Sequence, residues 1–293
     1  MKITVFSLLR DSEKSLPEFF GHLEALEKEH PDDELEYYLY ENDSRDNTVK
    51  LVKEWLKDRE GDLLSEKLQA IKWNSTTPAG KRMIFMAECR QKLLDFARPL
   101  KSDWLFLVDA DIEYKPNIIK EYLKCKEDNI VMYTPNGGHN IKCAMCGCKK
   151  WAYYDTQAFE DIDGNRGMLI TCNPLWSKED RALWNDNKPI KVRMAFGGAA
   201  LIKSSAANKS NYLPCQGFID HEAFIKGLEG DIMVFPHITT FTTVSTEDKS
   251  WYDTERELNK RFLKDPWFLW KRRTIDESQR EMRTRSGGLV VPT

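Results

Sequence analysis

The sequence predicts an α/β fold with an open, mainly parallel central sheet flanked by helices. Two observations carry this. Strand-like apolar runs alternate with amphipathic helical stretches through the first 134 residues, the order that winds a parallel sheet. The fourth of these runs, Trp104-Leu-Phe-Leu-Val108, is unbroken and ends on Asp109-Ala-Asp111-Ile-Glu113. A continuous apolar run of this length fits a strand buried on both faces. Ligands of open α/β sheets lie just outside the C-terminal ends of such strands. The chain of 293 residues is long enough for one such domain with an appendage.

Taken in order, residues 2–8 read as the first strand. Residues 12–29 read as a helix with Leu16, Phe19, Phe20, Leu23 and Leu26 at helical spacing, and Pro31-Asp-Asp ends it. Glu36–Tyr40 is the second strand, followed by residues of helix-cap type, Asp43 to Thr48, and a helix through Val49, Val52 and Trp55. A third strand is expected near Leu68–Trp73, then a loop over 75–80 and a long helix from Lys81 to Ala97. After the Asp-x-Asp strand come a helix over Asn117–Lys126 and a strand over Ile130–Tyr133. Residues 135–190 show little periodicity, a length of irregular chain that usually serves as a lid or substrate loop. Further on, Met194–Lys203 reads as a strand bent at Gly197-Gly198. Gly217–Phe224 opens a short helix, and Asp231–Pro236 is a strand ending at His237. The chain divides as a main domain over 1–245 and a helical extension over 246–293 with a flexible end. The domain itself divides into a regular half, 1–134, and a less regular half, 135–245.

Composition narrows the function. Charged residues make up 31% of the chain with a net charge of only −3, without the basic skew of a nucleic-acid binder. No apolar run is long enough to cross a bilayer, and the N-terminus lacks the pattern of a signal peptide. Seven cysteines, an odd count in a large chain, fit a reducing compartment. Cys143, Cys146 and Cys148 are spaced loosely for zinc and read better as free thiols.

The Asp pair is the centre of the candidate chemistry. Positions i and i+2 of a strand point to one side, and two carboxylates side by side call for a positive group between them. Oxygen-only ligands favour Mg²⁺ or Mn²⁺. Glu41, Asp43 and Asp46 follow the second strand, where a carboxylate can accept from ribose hydroxyls; capping of the next helix is the competing role. Arg10 follows the first strand, and Lys81, Arg82 and Arg90 lie on the long helix. Arginine pairs with phosphate oxygens, against the alternative of internal ion pairs with Glu88 or Asp95. Asp220-His221-Glu222 places a carboxylate at a helix start, where it serves either as a general base or as a cap. His237 is a ligand type for Mn²⁺-like ions or a structural histidine.

These motifs resemble the nucleotide-sugar glycosyltransferases of the GT-A fold: Tyr40-Glu-Asn-Asp-Ser44, Glu88-Cys-Arg90 and Val108-Asp-Ala-Asp111 in that order. More narrowly, Tyr154-Asp-Thr-Gln-Ala-Phe159 with Asp161-Ile-Asp-Gly164 is similar to the fungal capsule-associated (CAP59-like) mannosyltransferase group. Related enzymes also occur in large DNA viruses. The resemblance implies a GT-A-like, Rossmann-like domain that moves a sugar from a UDP- or GDP-linked donor to a hydroxyl of a glycan or glycoprotein. It implies Mn²⁺ (or Mg²⁺) on Asp111, with Asp109 on the metal or the ribose and His237 completing the shell. Asp220, then Glu222, would be the base. Arg10, Glu41, Asp43, Arg82 and Arg90 would hold the nucleoside diphosphate, and Tyr154, Asp155, Trp176 and Trp184 would line the acceptor side. Two departures stand out. The chain has no membrane helix at its start, which points to the cytosol as the place of action, and Cys89-Arg90 replaces the group's Asn-Arg pair. Two other readings fit the residues less well. A phosphohydrolase of the haloacid dehalogenase kind would carry a different residue at Glu113 and place its Asp strand first. A scaffold with a relic nucleotide site would have no reason to keep Asp109, Asp111, Asp220 and His237.

Overall fold

Leu105 and Leu107 face one hydrophobic cluster while Trp104, Phe106 and Val108 face the other, so the strand before the Asp pair is buried on both sides. A computed structural model describes residues 1–69, 79–139, 152–153, 155–156, 158–166, 173–216 and 219–242. In chain order the first half contains β1 (Lys2–Leu9), α1 (Leu16–Glu29), β2 (Glu34–Asn42), α2 (Thr48–Trp55), β3 (Gly61–Glu66), α3 (Ala79–Ala97) and β4 (Trp104–Val108). Then follow β5 (Ile112–Tyr114), α4 (Ile118–Leu123), β6 (Ile130–His139), β7 (Ala152–Tyr153), β8 (Glu160–Asp161), α5 (Lys178–Asn185) and β9 (Ile190–Met194). The last described elements are β10 (Ala199–Lys203), α6 (Ser204–Ala207), α7 (Glu222–Lys226) and β11 (Asp231–Thr242).

One sheet runs through the molecule in the order β3-β2-β1-β4-β10-β6-β11-β9-β8, with β5 on β11 and β7 on β6. The four strands from β3 to β4 are parallel, as the alternating order requires. β10 then inserts antiparallel to both β4 and β6, and β11 returns parallel to β6. Helices α1, α2 and α4 supply one hydrophobic cluster and α3, α6 and α7 the other. Each fully buried Leu or Phe of these clusters contributes about 1.5–3 kcal/mol, so the two-sided strand β4 is among the best anchored parts of the chain.

Four expectations are revised. The third described strand lies at 61–66, ahead of the expected 68–73, of which residues 70–73 lie outside the described residues. It is an edge strand, and its approach to β2 depends on Gly61, where φ is 138° and a Cβ would fall 1.9 Å from the Tyr37 carbonyl oxygen. Helix α4 is shorter than expected. β11 continues to Thr242, so His237 lies within a strand rather than after one. The irregular stretch 135–190 contains the helix α5 and two short strands. Residues 70–78, Tyr154, Cys143, Cys146, Cys148 and the tail beyond 242 lie outside the described residues.

Candidate active site

The C-terminal ends of β1, β2 and β4 reach the same edge of the sheet. The register that pairs Phe6 with Leu107 and Leu9 with Glu41 carries Arg10, Glu41 and Asp109 there together. The loops behind this edge are laced to each other. The Asp11 N–H donates to Ser44 Oγ at 3.0 Å, the Arg45 N–H to Asp11 Oδ1 at 2.8 Å, and the Ser12 N–H to Thr48 Oγ1 at 2.7 Å. Asp46 accepts from the Thr48 and Glu13 amides, so it ties the first residue of α2 to the loop after β1, while the cap position itself is Asn47. Glu41 is fully buried. Its two oxygens accept from the Ser44 N–H and the Ser65 hydroxyl, both at 2.6 Å. It shapes the turn after β2. Asp43 has a φ of 55°, and its carboxylate accepts from the Gln69 N–H and the Asn42 side chain. Arg10 is half-buried just past β1, its own N–H bound to Ser12 Oγ.

The centre of the site is a buried charge network. Asp109 continues the Leu105 and Leu107 side of β4, the side on which α3 packs. From α3, Arg90 stands in a buried stripe with Ala87, Leu93 and Leu94, and its side chain is 4% exposed. Its Nη2 donates to Asp109 Oδ1 at 3.0 Å and its Nε to Asp220 Oδ2 at 2.7 Å. The Phe196 ring centroid lies 5.8 Å from the guanidinium carbon, and His221 packs against the same ring with centroids 4.1 Å apart. Arg90 is therefore an internal clamp between two carboxylates that sequence spacing did not pair with it. Its candidate partners Glu88 and Asp95 are not the ones it meets.

Burial pushes Asp109 up to about 7; the Arg90 charge opposes this and the Asp111 charge adds to it. Asp111 is open to solvent at its surface yet closely surrounded, and its carboxyl is also raised, first through desolvation, with the Arg82 charge pulling the other way. Arg82, exposed in the first turn of α3, is thus near enough for its charge to act on Asp111. For Asp220, burial alone would raise the carboxyl, and its charged surroundings, Arg90 among them, hold it well below the usual carboxylate range. Desolvation and the Arg90 charge keep His221 neutral, down at about 3.

On the remaining side, Asp155 accepts the Gly197 N–H at 2.9 Å. Trp176 is half-buried and donates its indole N–H to the Arg166 carbonyl at 3.0 Å. Trp184 is core, edge-on to Tyr153. Glu222 is held by Arg166 and by Lys226, which also pairs with Glu160. His237 is exposed at the place where β11 slips register between Phe235 and Thr239. Thr242, five residues further on, is the one opposite Ile112 beside Asp111, so the structure does not bring His237 to the aspartates. Among the described residues no group of three His, Cys, Asp or Glu side chains forms a ready metal cage. Asp109 and Asp111 remain as a two-carboxylate oxygen set, which suits an ion that shares its shell with substrate phosphates.

Comparison with known proteins decides the family. Residues 1–168 match the model of the glycosyltransferase family 25 N-terminal domain, more than half of the chain. The chain belongs to this family. A glycosyltransferase 25 family member of Aedes aegypti is 23% identical over 177 residues, 55% of this chain and 28% of that protein. One of Anopheles gambiae is 27% identical over 124 residues, 38% of this chain and 20% of that protein. The matches thus span about a quarter of the length of these relatives. Among solved structures, the mannosyltransferase PcManGT of Pyrobaculum calidifontis, in complex with GDP-Man and Mn²⁺, superposes with a TM-score of 0.52 at 12% identity. It covers 98% of this chain and 76% of that one. This likeness shows the fold: the GT-A-like α/β sheet is the architecture of family 25 in this chain. S. aureus TarS 1-349 aligns over 99% of this chain and 76% of its own at 14% identity, with a TM-score of 0.47. The likeness to the capsule-associated group rests on the short motifs alone.

Proposed function

We propose that this family 25 member is a metal-dependent glycosyltransferase that uses a nucleoside-diphosphate sugar, UDP- or GDP-linked, and a hydroxyl-bearing glycan or glycoprotein acceptor. The observation that carries this reading is the Asp109–Asp111 pair at the C-terminal end of β4. The pair lies at the sheet edge where such ligands bind, with Asp109 clamped by Arg90 and Asp111 within the field of the Arg82 charge. Asp111 and Asp109 would hold Mn²⁺ or Mg²⁺, which supplies charge stabilisation for the leaving diphosphate. Arg82, exposed beside Asp111, is the arginine best placed to reach phosphate oxygens, and Arg10 and Asp43 border the nucleoside. Arg90 serves as the support of Asp109 rather than as a phosphate contact. No helix among the described residues is long and apolar enough to cross a membrane, and we place the reaction in the cytosol on the strength of the cysteine count.

Calorimetric titration with UDP and with GDP, with and without Mn²⁺, tests the reading. At least one nucleotide should bind in a metal-dependent way, and Asp111→Ala should weaken that binding at least tenfold (about 1.4 kcal/mol) while the protein still unfolds cooperatively. Binding of neither nucleotide, or an Asp111→Ala protein that binds as the wild type does, would refute it.

A further inference from the structure

The transfer proposed above needs a group that accepts the proton of the acceptor hydroxyl. Asp220 is poorly suited. Its side chain is 13% exposed and is bound to the buried Arg90 at 2.7 Å. A carboxylate stabilised so far takes up a proton weakly. Glu222 faces Arg166 and Lys226 instead of the aspartates.

Asp155 differs on each point. It is half-buried rather than sealed, and no basic side chain is hydrogen-bonded to it among the described contacts. Its Oδ2 accepts the Gly197 N–H at 2.9 Å, while the next carbonyl, that of Gly198, accepts the Asp109 N–H at 2.9 Å. One two-glycine turn therefore holds both Asp155 and the end of β4. The turn is itself fixed. Both glycines have positive φ, 64° and 82°, and the Gly197 carbonyl accepts the Thr240 hydroxyl at 2.6 Å. Behind Asp155, Tyr153 is buried edge-on to Phe159 and Trp184. The carboxylate is thus carried on core-anchored chain and set one residue across from the metal-binding strand end.

We propose that Asp155 is the general base of the transfer. The acceptor oxygen attacks the anomeric carbon, the bond from that carbon to the diphosphate oxygen breaks with its electron pair leaving on the nucleoside diphosphate, and the hydroxyl proton passes to the Asp155 carboxylate. The charged groups that bear on Asp155 are Arg90 from α3 and Asp220 from the turn before α7. Burial, with the Asp220 charge, pushes its carboxyl up to about 6 against the pull of the Gly197 and Ala158 N–H groups and of Arg90. A base with an affinity near neutrality is the efficient kind.

The assignment rests on the donor reading, and the experiment separates the two. Wild type, Asp155→Asn and Asp155→Glu are compared in the full chain with Mn²⁺. The readouts are UDP and GDP affinity by calorimetry, and nucleotide release from UDP-glucose, UDP-galactose and GDP-mannose with water and methanol as hydroxyl probes, across pH. Asp155→Asn should keep nucleotide affinity and donor KM within about threefold, lose roughly 100-fold or more in kcat, and lose the acid limb of the rate profile near pH 6. Asp155→Glu should retain part of the rate with a displaced acid limb, which keeps the test decisive if the Asn variant melts early. Wild-type nucleotide binding together with unchanged turnover in Asp155→Asn, or an unmoved acid limb in Asp155→Glu, overturns the base assignment alone. Absence of nucleotide binding by the wild type overturns the donor reading and this assignment with it.

Discussion

Replacing Arg90 by methionine keeps most of the side chain's length and removes its charge. Two hydrogen-bonded carboxylates, Asp220 at 2.7 Å and Asp109 at 3.0 Å, then lose their counter-ion. Asp220, 13% exposed, takes most of the loss; Asp109, 30% exposed, recovers some solvation. Breaking a buried pair from one side costs about 3–5 kcal/mol, and the partial exposure of Asp109 places the expectation at the lower part of that range, about 3 kcal/mol at pH 7. The sign with pH follows from Asp220. Its folded-state carboxyl lies below the unfolded value of 3.8, so the stability it contributes is present above about pH 4 and is lost as pH falls toward 2. The gap between wild type and Arg90→Met should therefore be widest near neutrality and close in acid. Urea unfolding at about pH 7 and pH 3 of Arg90→Met, Asp220→Asn and the double variant measures this. The double variant should recover at least about 1 kcal/mol relative to the sum of the single losses. An Arg90→Met protein within about 1 kcal/mol of wild type at pH 7, or strict additivity of the two substitutions, would refute the clamp.

Two further expectations concern the edges of the site. Glu41→Ala leaves the buried Ser44 amide and the Ser65 hydroxyl without their acceptor. It should cost about 1–3 kcal/mol in thermal or urea melts and speed amide exchange over residues 43–47. In the metal-free protein, the raised Asp155 carboxyl favours the folded state below its unfolded value of 3.8, and this is lost as pH rises through about 6. Asp155→Asn should therefore gain stability relative to wild type between about pH 4 and pH 7, read as the difference in melting temperature across that range.

The parts of the fold that local chemistry dictates were legible from residues. Five consecutive apolar residues facing alternate clusters make β4 self-evident, and the i, i+3, i+4 spacing of Leu16, Phe19, Leu23 and Leu26 specifies α1. Strand β3 was misplaced because an edge strand buries little: its Leu63 and Leu64 are only half-buried, and what licenses the pairing is a glycine approach that has no hydrophobic signature. The site shows the same division. Asp109 and Asp111 announce themselves by following a strand. The pairing of Arg90 with Asp220, 130 residues apart, depends on how α3 and the turn before α7 meet on one face of the sheet, which no spacing rule encodes. An arginine inside an apolar helical stripe was nonetheless a visible signal that it met an acid or a ligand. Phe196 and Tyr212, which wall His221, carried no signal beyond being aromatic. His237 attracted attention as a histidine after an apparent strand, and the extension of β11 to Thr242 removed the premise.

The antiparallel strand β10 has a consequence for where this protein can be cut. It comes from the second half of the chain, yet it lies between β4 and β6 and bonds to both. A fragment ending at residue 134, or even at the limit of the family match at 168, would keep the aspartates but strip the strand that zips along Val108 to Trp104. The open flank of β4, made wholly of apolar residues, would then be a sticky rim inviting other chains to pair with it. The first half of the chain is thus not a portable module. It is a shelf whose bracket, β10 (Ala199–Lys203), is made beyond the points where a boundary at 134 or 168 would fall.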